Sequence, residues 1–145
     1  MKLIVKHFRD LSAGELFEIY KLRVSVFVVE QSCPYQKVDE ADRSAYHLWL
    51  EDAGRIAAYA RVLPAGCTFA DVSIGRVIAA ERRRGLGSRI VAAAIDTARE
   101  KFAARSITIE AQTYARALYE KAGFVQTSEE FLEDGIPHIQ MKLAL

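Results

Sequence analysis

Cysteine is scarce in this chain: only Cys33 and Cys67 occur among 145 residues. With no C-x-x-C pair and no histidine spaced to complete a tetrahedral site, neither a structural metal nor a disulfide framework is expected, and both cysteines read as free, buried thiols of a reducing cytoplasm. Charge of one sign is also lacking. Lysine and arginine number 20 against 19 acids, so no long-range field favours nucleic acid, an anionic membrane or an acidic partner. Long apolar runs are missing as well, since the stretch Met1 to Val5 breaks at Lys6 and makes neither a signal peptide nor a membrane span. Without linkers, repeats or low-complexity tracts, one domain over residues 1–145 is expected.

What is present has the composition of an ordinary soluble globular domain, 51% apolar and 27% charged. Lys2 to Phe8 reads as a strand. Ser12-Ala13-Gly14-Glu15 has the capping-box pattern that opens a helix, in which Leu16, Ile19, Tyr20, Arg23, Val24 and Phe27 share one face. Residues 31–45, with Pro34 and several acids, predict a long loop of the kind that borders a substrate site. His47 to Leu50, a turn at Asp52-Ala53-Gly54 and Ile56 to Leu63 predict a hairpin. A further run, Ala70 to Ala80, leads into Arg82-Arg83-Arg84-Gly85-Leu86-Gly87 and a helix with Leu86, Ile90, Val91, Ala94, Ile95 and Ala98 on its apolar side. A strand from Ser106 to Ala111, a helix from Thr113 to Ala122 closing at Gly123, and late strands around Val125 and Ile136 to Leu143 follow. This order predicts a single α/β domain, a mixed and mostly antiparallel sheet of about six to seven strands flanked by helices.

The segment from Ile74 to Arg89 carries the chemistry. Gly85 and Gly87 let backbone N–H groups approach an anion, and the helix starting there adds its unpaired first-turn N–H groups and the positive end of its dipole. Arginines 82, 83 and 84 can clamp phosphate oxygens beside them. The segment is not a P-loop, since no Gly-Lys-Ser/Thr follows, and not a dinucleotide fingerprint, since Ile90 stands where its third glycine belongs. A solvated arginine loop is the bland alternative. A nucleic-acid contact through the three arginines is disfavoured by the near-zero net charge and the lack of interleaved aromatics.

Arg82-x-x-Gly85-x-Gly87 after the strand Ile74-Gly75-Arg76-Val77-Ile78 resembles the acyl-CoA-binding motif of the GNAT superfamily of N-acetyltransferases. Ala115-x-x-Leu118-Tyr119-Glu120-Lys121-x-Gly123-Phe124 resembles its second signature, about thirty residues on. A narrower resemblance, to the ElaA-type branch, runs through Leu22-Arg23-x-x-Val26-Phe27-Val28-Val29-Glu30-Gln31-x-Cys33-Pro34-Tyr35-Gln36, Tyr59-Ala60-Arg61, Ile74-Gly75-Arg76-Val77 and Asp134-Gly135-Ile136-Pro137-His138-Ile139.

That resemblance implies acetyl-CoA as co-substrate, no metal, and a small-molecule or peptide amine as acceptor, with a homodimer in keeping with relatives. Val77 and Ile78 fall where the family pairs backbone with the pantetheine arm. The pyrophosphate falls on the N–H groups of Arg83, Arg84, Gly85, Leu86, Gly87 and Ser88, with Arg82 to Arg84 on phosphates. Tyr119 takes the place of the general acid at the CoA sulfur. Gln112 stands where the family often has asparagine, seven residues before the tyrosine. The general base is not set by the motifs: Glu30, Glu110 and His138 are the candidates, and His138 has an imidazole suited to proton transfer near neutrality. Arg23, Arg61 and Arg76 read first as structural partners of acids. Cys33 has no neighbouring histidine suggested, so direct transfer without a covalent enzyme intermediate is expected. The alternative is a non-catalytic acyl-CoA-binding or sensing module.

Overall fold

The computed structural model describes residues 1–80 and 84–145. Its strands are β1 (Lys2–His7), β2 (Tyr46–Asp52), β3 (Arg55–Leu63), β4 (Val72–Ala79), β5 (Ser106–Gln112), β6 (Val125–Gln126), β7 (Phe131–Glu133) and β8 (Ile136–Ala144). The helices are α1 (Ala13–Val24), α2 (Leu86–Phe102) and α3 (Arg116–Lys121). The strands form one sheet in the order β1-β2-β3-β4-β5-β8-β6, with β7 also paired to β8. Every neighbouring pair is antiparallel except β4 and β5. The eighth strand, β7, is the one the sequence pattern did not predict. It is three residues long, too short for alternation to register.

Strand alternation sends β2 side chains to two cores. Leu48 and Leu50 pack under α2 with Ile90, Val91, Ala94 and Ala98, whereas Trp49 packs with Tyr59, Ile78 and Ile19 of α1 on the opposite face. Ile90 and Val91 are fully buried, so truncating Ile90 to alanine costs about 2–5 kcal/mol. α1 opens with the predicted capping box: Ser12 Oγ accepts from Glu15 N at 3.0 Å while Glu15 Oε1 accepts from Ser12 N at 2.9 Å. Its predicted apolar face is corrected at one end. Val24, expected on that face, is exposed; beyond it the helix widens into a π-helical turn, Ser25–Glu30, where Phe27 packs inward as expected and Val26 joins it.

Two further corrections concern the connections. The expected helix from Thr113 to Ala122 begins as a 3₁₀ turn, Thr113–Ala115, and becomes α-helical only over α3. Of the two thiols expected to be buried, Cys33 is buried but Cys67 is exposed, in the turn between β3 and β4. Gly123 ends α3 at φ +105°, and a Cβ there would lie 3.1 Å from Leu143 Cδ1, so the position needs glycine both for its backbone and for the approach of β8.

Candidate active site

β4 and β5 pair only at Val72↔Ile107 and Ser73↔Thr108, and beyond these positions the two parallel strands part. A bulge on β4 accompanies the split. The register against β3 passes from Arg61↔Gly75 to Tyr59↔Ile78, so Ala60 alone stands opposite Arg76 and Val77, and Arg76 adopts φ +54°. Ala80 N donates to Ala57 O at 2.8 Å. Because hydrogen-bonding direction alternates along a strand, Ile78 also turns its backbone toward β3, while the groups of Val77 and Ala79 face the split. Val77, Ile78 and Ala79 all line the cavity at the split.

Below the split lies the N-terminus of α2. Gly85 caps it in the left-handed conformation with no side-chain cap, and Arg89 N donates to Gly85 O at 3.2 Å. The N–H groups of Leu86, Gly87 and Ser88 therefore precede the first intrahelical bond and point out of the helix end. A Cβ on Gly85 would meet nothing within 4 Å, and one on Gly87 would meet Leu118 Cδ1 at 3.4 Å; the cradle is open at its rim and closes against α3. These residues fit a pyrophosphate. Arg84 Nη1 lies 3.5 Å from Asp52 Oδ2. Arg82 and Arg83 lie outside the described residues.

Two cavities meet in the split. The one beside the α2 N-terminus, about 290 Å³, is walled by Glu30, Val77 to Ala80, Gly87 and Leu118. The other, about 140 Å³, is walled by Lys37, Arg76, Glu110, Gln112, Glu133 and His138. Phe27, Val77, Tyr114, Ala115 and Tyr119 belong to both. Tyr119 is 9% exposed and edges against Phe124 at 5.9 Å between ring centroids. Burial pushes its phenol well above the ordinary tyrosine value, so the hydroxyl stays protonated throughout the neutral range.

His138 lies on β8 opposite Gln112 of β5 and stacks on Phe131. Its Nδ1 is 2.7 Å from Ile136 O. A carbonyl oxygen only accepts, so Nδ1 carries the hydrogen and Nε2 presents a lone pair. Nε2 stands 3.6 Å from Glu133 Oε2, a carboxylate placed to stabilise an imidazolium. Glu110 lines the same cavity; burial, and then the charge of Glu133, raise its pKa above the ordinary glutamate value. His138 and Glu110 thus share a wall of the smaller cavity, whereas Glu30 borders the other. The Gln112 side chain is engaged with Gln31 at 3.1 and 3.2 Å.

The loop over the smaller cavity is held by buried charge. Arg23 Nη1 binds Asp42 Oδ1 at 2.7 Å, and Arg61 Nη1 reaches Asp39 Oδ1 at 2.7 Å and Asp42 Oδ1 at 2.9 Å. Arg23 also donates to the Lys37 carbonyl. His47 Nε2 meets Asp42 O at 3.0 Å and its Nδ1 meets the Tyr59 hydroxyl at 2.6 Å. Lys37 Nζ closes the loop onto Asp134 Oδ2 at 2.7 Å. Asp39, Asp42, Lys37 and Glu133 escaped the sequence reading. The two aspartates sat in a stretch read only as loop, and Glu133 lies on the strand too short to detect.

A sheet split between two parallel strands, with a helix N-terminus beneath the split, is the frame of an N-acyltransferase that uses acyl-CoA as co-substrate. The family model for the acetyltransferase (GNAT) domain matches residues 16–145, and the chain belongs to that family, in its ElaA-type branch. It is 41% identical to a UPF0039 protein of Schizosaccharomyces pombe, over 100% of this chain and 98% of the relative. The crystal structure of an acyl-CoA N-acyltransferase from Pseudomonas aeruginosa superposes with a TM-score of 0.92 at 38% identity, covering 99% of this chain and 100% of that one. Escherichia coli ElaA superposes with a TM-score of 0.90 at 32% identity, covering 97% of each chain. No helix among the described residues is long and apolar enough to cross a membrane.

Proposed function

We propose that the protein transfers an acetyl group from acetyl-CoA to a primary amine by direct attack. The observation that carries this reading is the position of Tyr119, whose side chain lines both cavities, one ending at an anion cradle and the other at a lone-pair-bearing imidazole. The thioester of acetyl-CoA supplies the activated acyl group. In this chain the N–H groups of Leu86, Gly87 and Ser88 hold the pyrophosphate, with Arg84 beside them, and the open backbone of Val77 and Ala79 aligns the arm that carries the thioester.

An amine entering the smaller cavity reaches the carbonyl as a free base only after losing a proton. His138 Nε2, directly or through a water, accepts it, and Glu133 offsets the resulting charge. As the new C–N bond forms and the C–S bond breaks, the attacking nitrogen gives up its second proton and CoA leaves as the thiol: the Tyr119 hydroxyl passes its hydrogen toward the departing sulfur and is replenished by the proton from the nitrogen. Because burial makes a tyrosinate costly, Tyr119 serves the sulfur chiefly by sharing that hydrogen, and no lasting tyrosinate accumulates. Cys33 is buried and its thiol lies 3.7 Å from the Asp134 carbonyl, away from the residues shared by the two cavities, which supports transfer without a covalent acyl-enzyme. Two unpaired thiols suit a reducing cytoplasm as the setting.

The test is calorimetric titration of acetyl-CoA into the wild type and a Gly87→Glu variant, followed by a thiol-release assay on a panel of amines. Heat in the wild type, its loss in a folded variant whose carboxylate intrudes on the cradle, and thiol release with an amine support the reading. Absence of heat in the wild type removes it.

A further inference from the structure

The charges around the smaller cavity are sorted. Three guanidiniums, Arg23, Arg61 and Arg76, converge on two carboxylates, Asp39 and Asp42. Arg23 and Arg61 take the close contacts, at 2.7 Å each. Arg76 receives the remainder: 3.4 Å from Asp39 Oδ2, an oxygen that already serves Arg61 at 3.2 Å, and 3.4 Å to the Lys37 carbonyl. Such distances lie at the weak limit of hydrogen bonding. Lys37, the other cation of the cavity wall, is spent on Asp134. One positive charge is therefore left incompletely matched, and it belongs to the residue that the β4 bulge holds at φ +54°. For a non-glycine residue that conformation is strained, and strain of this kind collects at ligand sites.

Arg76 also differs from its companions in where it opens. Its side chain is 26% exposed, against 0% for Arg23 and 5% for Arg61, and it lines the smaller cavity and the adjoining one toward Phe69. Glu110 and Glu133 line the same two cavities. Burial, and then repulsion from Arg61 and Arg23, lower the Arg76 pKa from the usual arginine value, so a bound anion would relieve an electrostatic conflict already present. The cavities are thus lined both by a guanidinium, Arg76, and by the carboxylates of Glu110 and Glu133.

We propose that the acceptor carries a carboxylate beside its amine, as an amino acid does, and that Arg76 holds the carboxylate while Glu110, Glu133 and His138 receive the ammonium end. A guanidinium matches a carboxylate edge to edge, which makes Arg76 a specificity-determining residue. The proposal rests on the amine-acetylation reading and adds the class of acceptor to it.

The experiment compares acetyl transfer to pairs of amines that differ only in a carboxylate, phenylalanine with phenethylamine and leucine with isopentylamine, in the wild type, Arg76→Gln and Arg76→Lys. The expected result is a wild-type preference in kcat/KM of at least about tenfold for the carboxylate-bearing member of a pair. That ratio should collapse toward one in Arg76→Gln and return in part in Arg76→Lys. A merely structural role for Arg76 would lower transfer to both members and leave their ratio intact, and that outcome overturns the assignment. A wild-type preference for the carboxylate-free amine, or equal rates, overturns it too. Absence of transfer to every member also overturns it; calorimetry with acetyl-CoA then decides the parent reading separately, since retained heat leaves a CoA-binding site standing and absent heat removes both.

Discussion

Gln31 and Gln112, 81 residues apart in sequence, exchange side-chain amide hydrogen bonds: each Nε2 donates to the other's Oε1, at 3.1 and 3.2 Å. The pair ties the residue just after the π-helical turn to the last residue of β5, where the strand reaches the cavity. Removing either partner strands the other's amide. Gln31→Ala and Gln112→Ala should therefore be non-additive in a denaturation double-mutant cycle, with a coupling of about 0.5–1.5 kcal/mol, and additive effects would show that the clasp contributes nothing.

Tyr119→Phe removes the hydroxyl of a residue that lines both cavities and leaves the ring packed against Phe124. We expect kcat for acetyl transfer to fall by about 10²–10⁴, with the acetyl-CoA dissociation constant and the melting temperature nearly unchanged. Rates equal to the wild type in a steady-state assay would remove Tyr119 from the chemistry.

His138→Gln keeps a polar side chain but no basic imidazole. The rate should drop by about 10²-fold or more and recover as pH rises, because solution then supplies the amine already deprotonated. A pH–rate profile parallel to that of the wild type would assign the proton acceptor elsewhere, with Glu110 and Glu30 next in line.

Asp42 is 1% exposed and bridges two buried guanidiniums. Asp42→Asn leaves both without their shared anion and should cost about 3–5 kcal/mol in urea unfolding. The pH dependence has a fixed sign. Burial opposes the ionised form of Asp42, but Arg23 and then Arg61 overcome it and leave the folded pKa below the ordinary aspartate value of the unfolded chain. The stabilisation is complete above that unfolded value and is lost as pH falls below it toward the folded one. Acid titration of stability should be shallower in the variant.

Glu110 works in the opposite sense. Its folded pKa lies above the ordinary glutamate value, so its ionisation opposes folding at neutral pH, and the penalty is lost as pH falls through the raised folded pKa toward the ordinary value. Glu110→Gln should stabilise the protein at pH 7 by less than about 1 kcal/mol, since the side chain is exposed and screened, and the gain should vanish in acid. A melting-temperature series against pH checks both signs.

Much of this molecule was legible from local signals. Ser12 and Glu15 announced the start of α1, Gly85 and Gly87 the turn that opens α2, and the spacing of Leu86, Ile90, Val91, Ala94, Ile95 and Ala98 its buried face. What escaped depends on distant pairing. The bulge at Arg76 exists only against Ala60, and a lone arginine in a strand carries no mark of left-handed backbone. The fate of Asp39 and Asp42 depends on Arg23, Arg61 and Arg76, brought from three separate elements. Glu133 became visible only when β7 folded back on β8 and set it beside His138. The widening of α1 after Val24 has no residue signature, because the apolar spacing there is equally that of a continued α-helix.

The parting of β4 from β5 makes a prediction for the backbone. Val77 and Ala79 sit in the middle of an eight-stranded sheet, yet their amides face a gap where a neighbouring strand would otherwise be. In hydrogen–deuterium exchange they should behave like edge residues, fast among slow neighbours, and become slow when a pantetheine arm, itself a chain of amides, takes the absent strand's place. On the proposed reading, the sheet is in that sense complete only when the co-substrate is bound.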